Sequence, residues 1–109
     1  MQLADGERVS DRWQTREVDA LCQALLALRT AEEMRAFLRD ICTVGELEAL
    51  GHRLAAAQLL DRGEGSYAQI AARVGTSTTT VTRVAHWLRH GEGGYRIALD
   101  RQPPTSASA

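Results

Sequence analysis

Four threonines fall within five positions, Thr78, Thr79, Thr80 and Thr82, and Arg83 follows at once. β-Branching lowers helix propensity, so such a cluster is an expensive choice on a helix unless the side chains are used. Threonine hydroxyls can bond base edges or phosphate oxygens, and the methyls can meet the methyl of thymine. Gln69 and Arg73, a little upstream, offer an amide and a guanidinium suited to phosphate or to a groove edge. These residue types can recognise a polyanion by hydrogen bonding, with no covalent step. A structural reading covers part of the cluster: one threonine caps a helix and Thr80 packs inward. At least two of the four are expected to touch the ligand.

The element that must carry them is legible in Tyr67–His86. A helix-turn-helix asks for an apolar residue at its fourth position, a small one at its fifth and an apolar one at its eighth. Glycine follows at the ninth, with apolar residues again at the fifteenth and eighteenth. Here those places hold Ile70, Ala71, Val74, Gly75, Val81 and Val84. Ala71 lets the two helices cross closely, Gly75 supplies a turn with positive φ, and Val81 and Val84 share one helical face. The tenth place, ordinarily apolar, holds Thr76. The second helix would enter a major groove, its N-terminal residues nearest the bases.

Charge is distributed to suit. Residues 1–50 carry six Arg against ten acids, residues 51–109 seven Arg against four, and Ser66–His90 holds Arg73, Arg83 and Arg89 with no acid. The near-neutral whole chain thus hides a basic segment around the motif. Every Lys/Arg cation is arginine, which binds phosphate bidentately. The 109 residues suffice for one domain. No apolar run is long enough to span a membrane, and the start of the chain lacks a secretory pattern. A cytoplasmic protein is expected. Cys22 and Cys42 lack metal or redox spacing and are read as small core residues without a disulfide.

The periodicities give an all-α chain of six helices. Residues 1–12 are read as a flexible arm, 13–101 as the folded domain and 102–109 as a disordered tail. Thr15 caps a helix with apolar Val18, Leu21, Cys22, Leu25, Leu26 and Leu28. Thr30–Glu33 is a capping box opening a second helix whose stripe is Met34, Phe37, Leu38 and Ile41. A second box, Thr43–Glu46, opens a third helix to about Arg62, with Leu47, Leu50, Leu54, Ala57 and Leu60 inward. Gly51 within it points to the close approach of another backbone. Ser66 caps the helix 67–74, Ser77 or Thr78 caps the next to about His90, and a short helix covers Tyr95–Asp100. Leu25, Leu26 and Leu28 cannot all face one small core, so a partner surface is implied, most simply an intertwined homodimer.

With helices in this order, the chain resembles the Trp repressor superfamily, and within it the Trp-repressor-like YerC/YecD branch. Asp40–Leu54 (DICTVGELEALGHRL), Ser66–Ala71 (SYAQIA), Gly75–Val84 (GTSTTTVTRV) and Gly93–Tyr95 (GGY) carry the resemblance, which spans about residues 15–101. It implies an interlocked helical dimer binding operator DNA through paired motifs. It also implies a ligand pocket in which tryptophan lies between two arginines, matched here by Arg53 and Arg83, with Thr43 at the start of the third helix. Two pocket positions depart. Val84 replaces a glycine that leaves room for the indole, and Trp87 replaces a serine that helps to hold the ligand. Overpacking a formed pocket costs about 1–3 kcal/mol, so tryptophan is not expected as a corepressor and the effector is left open.

Other constellations are weaker. His86 and His90 are one turn apart, but no third metal ligand is in sight, and both read as solvated histidines near a helix C-terminus. Glu46 and Glu48 lie in a first turn, where the helix dipole favours anions. Tyr67 and Tyr95 read as packing residues, and Trp13 as docking on a partner. No nucleophile–base pair, phosphate loop or dinucleotide fingerprint appears, so neither an enzyme nor a cofactor is expected. The leading expectation is a DNA-binding transcriptional regulator, most simply a repressor, on double-stranded DNA. The alternative is a helical protein-interaction module working through the acidic N-terminal half.

Overall fold

The computed structural model describes residues 12–102. Their regular structure is wholly helical: α1 (Arg16–Ala27), α2 (Ala31–Ile41), α3 (Val44–Arg62), α4 (Tyr67–Val74), α5 (Thr78–His90) and α6 (Gly94–Arg101). Apart from Arg12 and Gln102, the expected arm (1–12) and tail (102–109) lie outside the described residues. The chain divides into two units, Met1–Cys42 and Thr43–Ala109.

Five helices start where a hydroxyl can satisfy an amide that has no partner within the helix. Thr15, Thr30, Thr43, Ser66 and Ser77 each accept from the amide three residues on, at 3.0–3.1 Å. Losing such a cap costs about 1 kcal/mol. Thr43–Glu46 and Ser66–Gln69 are complete capping boxes, the N3 side chain returning to the cap amide at 2.8 Å in both. The box expected at Thr30 is different. Glu33 Oε1 accepts instead from Arg29 N, the residue before the cap, at 2.7 Å.

Within the first unit, α1 and α2 contain no buried residue. Leu26 is 78% exposed and Ile41 53%, while Met34, Phe37 and Leu38 are half-buried. The two cysteines are free and are not the core residues the sequence suggests: Cys22 is exposed and Cys42 half-buried. Cys22 continues the apolar period of α1, yet no residue of that helix is fully buried.

The second unit has a core of its own. Ala56, Ala57 and Leu59 from α3 meet Ile70 and Ala71 from α4 and Val81 and Val84 from α5, all buried, with Leu60, Tyr67, Val74, Tyr95 and Leu99 packed around them. The buried side of α3 matches the expected one only in part: Ala57 is buried and Leu60 packs on the core. It centres on Ala56, Ala57 and Leu59, whereas Leu50 is 45% exposed. Small residues on α3 let α4 and α5 come close, so burial follows those neighbours more than it follows the leucine period. Gly51 meets no close backbone either: among the described residues nothing lies within 4 Å of where its Cβ would be.

α6 lacks a side-chain cap and begins after Gly93 at φ 85°. Ion pairing secures it. Arg96 donates to both carboxylate oxygens of Asp61 on α3, at 2.8 and 3.1 Å, and to Asp100 one turn on, at 2.7 and 2.9 Å. The Arg96 hydrogen bonds hold the Asp61 carboxyl below the usual carboxylate range, against a smaller opposing effect of desolvation.

Candidate nucleic-acid interface

The turn between α4 and α5 is built as the spacing requires. Gly75 adopts φ 88°, ψ 34°, and the amides of Gly75 and Thr76 both donate to the Ala71 carbonyl, at 2.9 and 3.0 Å. Thr76, in the place where an apolar residue is usual, is half-buried. Ser77 then caps α5, and its hydroxyl also donates to Thr80 Oγ1 at 3.1 Å. Ile70 and Val81 are the largest fully buried side chains and stand on the two helices of the motif. They fix the angle at which α5 leaves the body.

α5 presents two different sides. Thr78, Thr79, Thr82, Arg83 and His86 line an open groove of about 380 Å³ on its outer surface. Thr78, Thr79, Thr82 and Arg83 are all exposed, whereas Thr80 is half-buried and turned the other way. Thr80 instead shares a second groove, of about 370 Å³, with Arg53, Arg83, Val84, Trp87 and Tyr95. Four of the five expected pocket residues thus meet there: Arg53, Arg83, Val84 and Trp87. Thr43 does not line it; its hydroxyl and amide form the capping box at the start of α3.

The sequence suggests a packing role for Tyr95. It does pack on the core, and it also closes the second groove from α6. Burial pushes its phenol up, partly opposed by the positive charge of Arg53. Two guanidiniums and no carboxylate face this groove, so its chemistry suits an anionic ligand. Val84 is buried and Trp87 is 52% exposed at its wall. Gly91 keeps the indole there: a Cβ at that position would lie 2.5 Å from the Trp87 carbonyl and 3.2 Å from its Cε3.

The remaining expected contacts are partly engaged. Gln69 is exposed, but its Oε1 accepts the Ser66 amide. Arg73 is exposed and pairs with Glu64 at 3.3 Å, while the other oxygen of Glu64 holds Arg62 at 2.9 Å. The sequence window Ser66–His90 contains no acid, but Glu64 lies two residues before it and reaches Arg73. The first turn of α5 carries no acid, and its last turn holds Arg89 and His90. No group of three or more metal-binding side chains occurs among the described residues. No described helix is long and apolar enough to cross a membrane.

Comparison with known proteins decides the lineage, because the Trp repressor protein family profile matches residues 16–103. The chain belongs to the Trp repressor family. Uncharacterized protein YerC of Bacillus subtilis (strain 168) is 35% identical over 99 residues, covering 91% of this chain and 94% of the relative. A TrpR-like protein from Eubacterium eligens superposes with a TM-score of 0.76 at 35% identity, over 84% of this chain and 93% of the other. A Staphylococcus aureus structure likened to the Trp repressor gives 0.78 at 34%, over 87% and 94%. The Trp repressor family is a family of regulators and not of enzymes, and membership points to a DNA-binding regulator.

Proposed function

We propose that this protein is a sequence-specific regulator of transcription, acting as a repressor in the cytoplasm by binding double-stranded DNA as a homodimer. The observation that carries this reading is the outer side of α5. It combines three exposed threonines with Arg83 in an acid-free groove, on the second helix of a helix-turn-helix. Two copies of α5 enter successive major grooves about 34 Å apart. Thr78, Thr79 and Thr82 face the bases, and Arg83, Arg73 and Gln69 serve the phosphates and the groove edge. Thr80, turned toward the second groove, links the recognition helix to the ligand pocket.

Dimerisation is supported by α1 and α2, which hold no fully buried residue and leave Leu21 and Leu26 exposed. The second groove is the effector site. Its Val84 and Trp87 occupy space that an indole would need, so the effector is not tryptophan. The same exposed surfaces of α1 and α2 favour a second reading, a helical protein-interaction module with no specific hold on DNA.

Selection of bound genomic fragments, followed by gel shift at physiological salt with excess competitor, tests the proposal. Recovered sites should be approximately palindromic, since a two-fold dimer imposes that symmetry. Replacing Thr78, Thr79 and Thr82 together by Ala should erase preference among fragments while leaving helical content intact. No enrichment of any fragment would rule the DNA reading out in favour of the interaction module.

A further inference from the structure

His86 is exposed, and it lies in the outer groove with the threonines and Arg83. Thr78, Thr82, His86 and His90 follow one another at intervals of four along α5. At 1.5 Å rise per residue, His86 is about 12 Å along the axis from Thr78. The N-terminal residues of a recognition helix sit nearest the bases. A side chain that far along sits at the rim, where the sugar-phosphate backbone runs.

The imidazole has neighbours that orient it and none that neutralise it. The Trp87 ring meets it edge-on, centroids 5.2 Å apart and planes at 88°. The His90 ring is also 5.2 Å away, tilted by 46°. The groove lining comes entirely from α5, so α3, α4 and α6 place no titratable group in it. The charged or titratable groups within one turn of His86 on its own helix are Arg83, Arg89 and His90, all cationic when protonated. Among the described residues no carboxylate pairs with His86.

We propose that His86 is a DNA-contacting residue whose imidazolium binds a backbone phosphate at the rim of the major groove. Protonation gives the ring a second N–H donor and a positive charge. A phosphate supplies the anionic partner that His86 lacks among the described residues. DNA binding is therefore coupled to protonation of His86 on each recognition helix. The inference rests on the DNA reading above.

The experiment uses the full chain and a duplex recovered by genomic selection, with affinity measured by fluorescence anisotropy over a range of salt at pH 6 and pH 8. The wild type should bind up to about fivefold more tightly per recognition helix at pH 6, the scale of one exposed ion pair. Its log K against log salt should steepen by about 0.9 for each added phosphate contact. His86→Gln should abolish both differences, and His90→Gln should keep them. In parallel, addition of duplex should move the NMR titration of the His86 ring protons to higher pH, which requires no variant to fold. Equal salt slopes at the two pH values, full pH dependence in His86→Gln, or an unmoved His86 titration would each overturn the assignment while leaving the DNA reading standing. A wild type that binds no duplex at either pH would remove both.

Discussion

Gly75→Ala isolates what the turn of the motif demands. The residue sits at φ 88°, and no atom lies within 4 Å of where a Cβ would stand, so the substitution meets strain but no collision. An L-residue in the left-handed region costs about 1–2 kcal/mol. The alanine also restricts the unfolded chain, which returns about 0.4–1 kcal/mol. A net loss of about 1 kcal/mol remains, a roughly fivefold fall in the folded-to-unfolded ratio. In a domain this small that lowers Tm by about 4–8 °C. Gly75→Asn should lose less, because asparagine tolerates the left-handed region. Urea titration followed by circular dichroism reads both variants, at one protein concentration because assembly makes apparent stability depend on it. A Gly75→Ala protein as stable as wild type, or an Asn variant no better than the Ala variant, would refute this account of the turn.

Four further expectations can be checked. Arg73→Ala should flatten the salt dependence of DNA binding by about 0.9 log units per log salt, and Glu64→Gln should tighten binding only while Arg73 is present. Because hydrogen bonds from Arg96 hold the Asp61 carboxyl below the usual carboxylate range, the pair stabilises the fold above that range and ceases to do so as pH falls through the lowered value. The stability gap between wild type and Arg96→Ala, measured by urea titration, should therefore be present at pH 7 and close below about pH 4. Calorimetry with L-tryptophan should show no micromolar binding, and a micromolar isotherm would mean that Val84 and Trp87 leave the indole its space. Gly51→Ala should stabilise by about 0.5–1 kcal/mol, since a helical glycine with open space gains from a methyl; a loss in thermal melts would reveal a partner backbone lying on α3.

What the sequence made legible was local chemistry. Serine and threonine caps marked five helix starts because a hydroxyl and the amide three residues on are near neighbours in the chain. Gly75 marked the turn because few other residues accept its φ. Burial was harder to read. Ala57 fell on the expected apolar period, but Ala56 and Leu59 lie off it, and they become core because α4 and α5 rest on them. Ion pairs joining distant parts, such as Arg96 with Asp61, leave no pattern in a linear string. In the site, Thr80 was separable from its neighbours by helical phase, since it lies one turn before the buried Val84. The part played by Tyr95 in the second groove depends on where α6 docks, which no spacing encodes.

The absence of any buried side chain in α1 and α2 reaches beyond architecture. Isolated helices of 12 and 11 residues are marginal in water, and packing on another surface would steady them. If that surface is a second copy, the amount of protein in the cell sets how much of it is fully formed. Occupancy of a target would then climb more steeply than in proportion to expression. A regulator made this way counts its own molecules before it acts.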